Sequence, residues 1–107
     1  MLKEAIITDI IIKDLDGNPS HLVEPLIDEL KEMAIHELII VNLLLYNKSL
    51  KKVIKKINIT NLVSFRAIRI AKRIDIIRSI RSAEEKGFYS LVEHKTNELK
   101  FWTEALN

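Results

Sequence analysis

Hydrophobic residues recur at intervals of three and four after Pro25, which is typical of a helix that buries one face. Leu26, Leu30 and Leu38 share that face. Beyond Leu38 the pattern becomes apolar nearly all round, so we expect a central helix that packs on several sides and ends near Tyr46. Either Pro25 or the preceding proline is well placed to start it, since proline is favoured in the first turn of a helix.

The N-terminal apolar run, residues 5–15, is rich in isoleucine and fits either a strand or a short helix. Its β-branched content favours the strand. The sequence Asp16-Gly17-Asn18-Pro19 predicts a turn at its end, because Asp-Gly and Asn-Pro are both common in turns.

Two basic helices are predicted next, over residues 50–57 and from residue 62 onward, with a short break at 58–61. In the second of them the apolar face rotates beyond Asp75, so that a single straight helix with one buried face cannot satisfy both halves. Either the helix breaks near residues 74–75, or it is continuous and its two halves pack against different partners.

The last part of the chain predicts a β-hairpin. Gly87 is a natural helix end, and residues 88–92 and 99–103 are β-prone runs on either side of the polar stretch 93–98. The expected fold class is therefore α+β and predominantly helical, with a helix-turn-helix core and a C-terminal hairpin. An all-α bundle is the alternative.

Composition limits the chemistry of the chain. Its 107 residues fit one domain, with 1–34 as an acidic extension and 35–104 as the helix-turn-helix and hairpin. The absence of cysteine excludes disulfides, thiolate zinc sites and a cysteine nucleophile. The apolar window 35–46 is too short and too polar to span a bilayer, and Asp9 interrupts the only leader-like stretch. We expect a soluble cytoplasmic protein without membrane contact.

Charge divides the chain into three parts. Residues 1–46 hold three bases and nine acids, residues 47–82 hold eleven bases and one acid, and residues 83–107 hold three bases and five acids. The net charges are therefore −6, +10 and −2, which sum to +2. A cationic block within a nearly neutral chain favours contact with an anionic partner such as nucleic acid.

The order of elements, an apolar helix, a short basic helix, a turn, a basic helix and a hairpin, resembles a winged helix-turn-helix DNA-binding domain. The resemblance covers about residues 35–104, and implies a recognition helix at 62–74 that reads bases in the major groove. The turn at 58–61 lacks the glycine usual in the family, and the helical pattern continues to Lys86. The residues that the resemblance assigns to DNA are Lys51, Lys52, Lys55, Lys56, Asn61, Ser64, Arg66, Arg69, Lys72, Arg73 and Lys95.

The resemblance implies a DNA-binding protein, with transcriptional regulation as its role and double-stranded DNA as its partner. Members of such families commonly bind as dimers, and the apolar faces of residues 20–45 or 76–84 are the candidate interface. The alternative is a non-enzymatic interaction protein, an accessory subunit or helical oligomer. In that case the acidic segment 1–46 pairs with the basic segment of its own chain or of a neighbour.

Catalytic and metal chemistry have little support. His21, His36 and His94 are scattered, and although His36 lies one helical turn from Glu32, no third ligand is indicated. The sequence offers no glycine-rich phosphate loop and no recognisable catalytic grouping. We therefore expect no enzyme activity, no cofactor, no metal and no small-molecule substrate.

Overall fold

The computed structural model describes residues 2–49, 52 and 65–104, with side chains described from residue 6 onward. Five α-helices have both of their ends within these described residues. They are α1 (Leu2–Asp14), α2 (Ser20–Glu32), α3 (Ile35–Tyr46), α4 (Phe65–Glu85) and α5 (Tyr89–Glu104). The predicted basic helix at 50–57 and the break at 58–61 lie outside the described residues, apart from Lys52.

Helix α4 is the centre of the bundle and packs against α2, α3 and α5. Its residues Ile70, Ile74 and Ile77 are almost completely buried, and so is Ile80, which lies beyond the point where the apolar face rotates. The helix is continuous through Asp75. Of the two alternatives for this region, a continuous helix that buries more than one face is therefore correct.

Of the two alternatives for residues 5–15, the favoured strand is wrong and the short helix is correct, because residues 5–14 belong to helix α1. Thr8, Ile11 and Leu15 are buried, at spacings of three and four. Packing of that stripe into the core outweighs the β preference of isoleucine, which depends on context. The predicted turn is confirmed: residues 15–18 are non-helical, and Gly17 has a φ of 85°, a conformation that suits glycine.

The helix expected to run from the prolines to Tyr46 is two helices. Met33 and Ala34 have extended backbone, with ψ of 143° and 158°, and separate α2 from α3. Neither residue is a helix breaker, and Met33 is buried, so tertiary packing rather than local preference ends α2 here. Helix α3 ends at Tyr46 as predicted, but it is not buried all round, because Ile39 and Leu43 are exposed.

The predicted β-hairpin is also wrong, since both β-prone runs lie in or beside helix α5. A tight hairpin needs turn residues that accept positive φ, and the stretch 93–98 offers only Asn97 among glutamate, lysine and other helix-compatible residues. Val92, Leu99 and Trp102 instead face the core at helical spacing.

The described residues contain no strand, so the predicted α+β fold class and its winged-helix architecture are corrected to an all-helical bundle, which was the stated alternative. No helix in the described part of the chain is long and apolar enough to cross a membrane.

Candidate nucleic-acid interface

Every arginine of the chain lies on α4, and Arg73 is the most deeply buried of them, with 4% of its surface exposed. Its Nη2 donates to a carboxylate oxygen of Glu29 on α2. Burial lowers the pKa of Arg73, and the Glu29 carboxylate opposes that shift. A guanidinium held in this way cannot reach a base edge without breaking a partly buried ion pair.

Arg69 binds the end of α5. Its Nε donates to the carbonyl oxygen of Trp102 at 2.9 Å, and its Nη2 donates to that of Thr103 at 2.5 Å. The last four carbonyl groups of a helix have no partner within that helix, and the helix dipole places partial negative charge there. Arg69 therefore caps α5 and fixes it to α4.

Two further predicted contacts also point into the chain. Arg66 lies 3.7 Å from the Glu32 carboxylate and donates to the carbonyl oxygen of Glu29 at 3.4 Å. The Lys72 ammonium lies 5.9 Å from the centre of the Trp102 ring, within the range of a cation–π contact. These contacts connect α4 to α2 and α5.

The C-terminal half of α4 makes similar contacts with α1 and the turn after it. Arg78 pairs with Asp14 at 3.2 Å and lies over the Tyr46 ring at 5.7 Å from its centre. Arg81 donates to the carbonyl oxygen of Asp16 at 2.6 Å and pairs with Glu85 at 3.3 Å. Neither arginine was among the predicted site residues.

The other predicted DNA contacts are distributed as follows. Lys52 is exposed, and Lys95 lies on α5, where it pairs with Glu98 at 3.3 Å. Because the hairpin is absent, Lys95 has no wing to extend from. Five further predicted residues lie outside the described part of the chain: Lys51, Lys55, Lys56, Asn61 and Ser64.

These contacts divide the cationic block in two. Six of its eleven bases lie on α4, and each of the six contacts an acid, a carbonyl oxygen or an aromatic ring of the same chain. The other five are Lys48, Lys51, Lys52, Lys55 and Lys56, which fall within nine sequence positions that contain no acid.

The sequence prediction missed the acidic partners, chiefly Asp14 and Glu29. Their signal was the opposite net charge of residues 1–46 and 47–82. The alternative in which the acidic segment pairs with the basic segment of its own chain describes these contacts. The particular pairs depend on how α1 and α2 lie against α4, which a one-dimensional charge map does not contain.

The turn between α4 and α5 presents apolar side chains. Phe88 is 56% exposed and Tyr89 is 79% exposed, beside a groove of about 260 Å³. Leu91 and the two lysines Lys86 and Lys95 also line this groove. Among the described residues no group of three histidine, cysteine or carboxylate side chains is placed to hold a metal ion.

Comparison with known proteins identified no family model, no curated protein and no solved structure that matches this chain.

Proposed function

We propose that this chain is a non-enzymatic binding protein that holds double-stranded DNA through phosphate contacts from the five lysines between residues 48 and 56. Lysines act on phosphate as mobile point charges, and such contacts add affinity without reading sequence.

The observation that carries the proposal is the division of the cationic block. The guanidinium groups of α4 bond to the chain itself, so base readout by Arg66, Arg69 and Arg73 has no part in the proposal. These five lysines, the lysine group, carry a formal charge of +5 over nine positions, and Lys48 and Lys52 are both exposed. Regulation of transcription remains a prediction from the original resemblance.

The test is fluorescence anisotropy of the full chain with a labelled duplex of random sequence, across a series of salt concentrations. Neutralising phosphates releases counterions, so the logarithm of the affinity falls with the logarithm of salt by about 0.9 for each phosphate contacted. We expect a slope that corresponds to several contacts, and similar affinity for duplexes of different sequence.

A matched pair of variants locates the contacts. The first replaces Lys48, Lys51, Lys52 and Lys55 with glutamine. The control replaces four exposed lysines outside the group, Lys13, Lys31, Lys86 and Lys100. Both variants lose the same net charge. We expect the first to reduce the salt slope by up to about 0.9 for each lysine, and the control to retain most of it.

Equal losses of salt slope in the two variants would mean that only net charge matters, and no binding at low salt would overturn the proposal.

The second candidate, a protein-interaction subunit, is favoured by the exposed Phe88 and Tyr89 beside the groove. It predicts a concentration-dependent oligomer in sedimentation equilibrium, which Phe88→Asp should disrupt. Phe101→Asp, the same change at a slightly more exposed phenylalanine, should leave the oligomer intact.

A further inference from the structure

A crevice of about 100 Å³ lies where α2, α4 and α5 meet. Its rim carries the exposed residues His21, Pro25 and Thr103, and its other lining residues are partly or fully buried. Those inner residues are Leu22, Leu26, Arg73, Ile77 and Leu99. The crevice thus combines an apolar lining with one buried charged side chain.

The Arg73 side chain, which lines this crevice, has one nitrogen without an acceptor among the described residues. Its Nη2 is bonded to Glu29, but its Nε is buried and has no hydrogen-bond partner among the described residues. A buried donor left without an acceptor costs about 1–3 kcal/mol, and more when the group is charged. An occupant of the crevice with an acceptor oxygen near Nε would recover that energy.

The charges around Arg73 favour an anionic occupant. Arg66, Arg69 and Arg73 are three cations, and their acidic partners Glu29 and Glu32 are two anions, which leaves one positive charge. A charge-assisted hydrogen bond from a guanidinium to a carboxylate is also stronger than one to a neutral carbonyl group.

We propose that this crevice binds a small aliphatic carboxylate. One carboxylate oxygen accepts a hydrogen bond from Arg73 Nε, and the alkyl chain lies against Leu22, Leu26 and Ile77. A water molecule occupies about 30 Å³ of liquid volume, so the crevice has room for roughly three waters. That size suits an acid between acetate and butyrate.

The test is a titration of the full ¹⁵N-labelled chain with sodium butyrate, followed by ¹H–¹⁵N correlation spectra. Sodium chloride at equal ionic strength is the first reference, and butyramide, which has the same alkyl chain without the charge, is the second. We expect saturable shifts at the amides of Leu22, Leu26 and Leu99. Butyramide should bind roughly tenfold more weakly, in line with the loss of a charge-assisted hydrogen bond.

Two variants assign the site. Leu22→Phe places a larger side chain in the crevice and should abolish saturable binding, whereas Leu43→Phe, the same change at an exposed position on α3, should not. Arg73→Lys keeps the positive charge but removes Nε, and should weaken binding by roughly tenfold. If Arg73→Lys does not fold, the Leu22 and Leu43 pair still decides the result.

Shifts that do not saturate, or that sodium chloride reproduces, would overturn the proposal and leave the crevice to solvent. Equal affinity for butyrate and butyramide would also overturn it, because Arg73 would then have no part in recognition. The inference does not rest on DNA binding. The variant with four glutamines in the lysine group should bind butyrate unchanged, so the two proposals fail separately.

Discussion

Arg73 on α4 donates a hydrogen bond to Glu29 on α2, across a sequence separation of 44 residues. The arginine side chain is 5% exposed and the glutamate side chain 27% exposed, so the pair is open to water on the glutamate side only. It joins the most basic helix of the chain to its acidic N-terminal segment, and it places a charged group inside an apolar core.

Glu29→Gln should reduce the free energy of unfolding by about 2–3 kcal/mol, because it leaves the Arg73 charge buried without its counter-ion. This figure is below that for a fully buried pair, since Glu29 is partly solvated. Urea unfolding followed by circular dichroism measures the change.

The control for this prediction is Glu32→Gln. Glu32 lies 3.7 Å from Arg66, and its side chain is 76% exposed. An exposed pair of this kind contributes at most about 1 kcal/mol. Equal effects of the two substitutions would show that burial of Arg73 does not set the strength of its pair.

Arg69→Gln should lower stability by about 1–2 kcal/mol, because two carbonyl groups at the end of α5 lose their donor. Amide exchange should accelerate in the last turns of α5 and remain unchanged in α2. Lys100→Gln, at an exposed position on the same helix, is the control. An unchanged exchange rate in Arg69→Gln would instead leave this guanidinium available for an external ligand.

Tyr46 should make stability depend on pH in the alkaline range. Burial and the 2.8 Å hydrogen bond that its hydroxyl donates to Asp14 raise the pKa of Tyr46 from 10.0 to about 12. The folded state therefore holds this proton more tightly than the unfolded chain does. The stabilising contribution is complete below pH 10 and is lost as the pH rises through about 12.

The measurement is thermal unfolding as a function of pH for Tyr46→Phe and for the control Tyr89→Phe, whose tyrosine is 79% exposed. Tyr46→Phe should flatten the decline in the unfolding midpoint above pH 10, while Tyr89→Phe should follow the parent chain. Identical profiles for all three proteins would exclude Tyr46 as the origin of the decline.

Ile74→Ala should destabilise the bundle by about 2–5 kcal/mol, because Ile74 is completely buried on α4 and its removal leaves a cavity. Ile39→Ala, on the outer side of α3 where the side chain is 44% exposed, should cost well under half of that. Chemical unfolding of both variants gives the comparison. Equal costs would contradict the central position of α4.

The sequence by itself determined the features that depend on local spacing and composition. The end of α3 near Tyr46, the turn at Gly17 and the helix end at Gly87 follow from apolar periodicity and from residues that accept positive φ. The opposite charges of residues 1–46 and 47–82 were also visible, and with them the alternative that the two segments pair within one chain.

Tertiary structure decided what happens to segments whose local preference is weak. The runs 5–15, 88–92 and 99–103 are β-prone in sequence. They nevertheless lie in or beside helices, because a stripe such as Ile11 and Leu15, or Leu99 and Trp102, packs against the bundle. Burial of a helical stripe outweighs a strand preference that is itself dependent on context.

Only the packing of the helices distinguishes arginines that would contact DNA from arginines that bond within the chain. In sequence, Arg69 and Arg73 look like the exposed face of a recognition helix. In the bundle Arg69 caps α5 and Arg73 pairs with Glu29. Periodicity shows which residues share a face of α4, but not which helix covers that face, because the partners are 33 to 44 positions away in the chain.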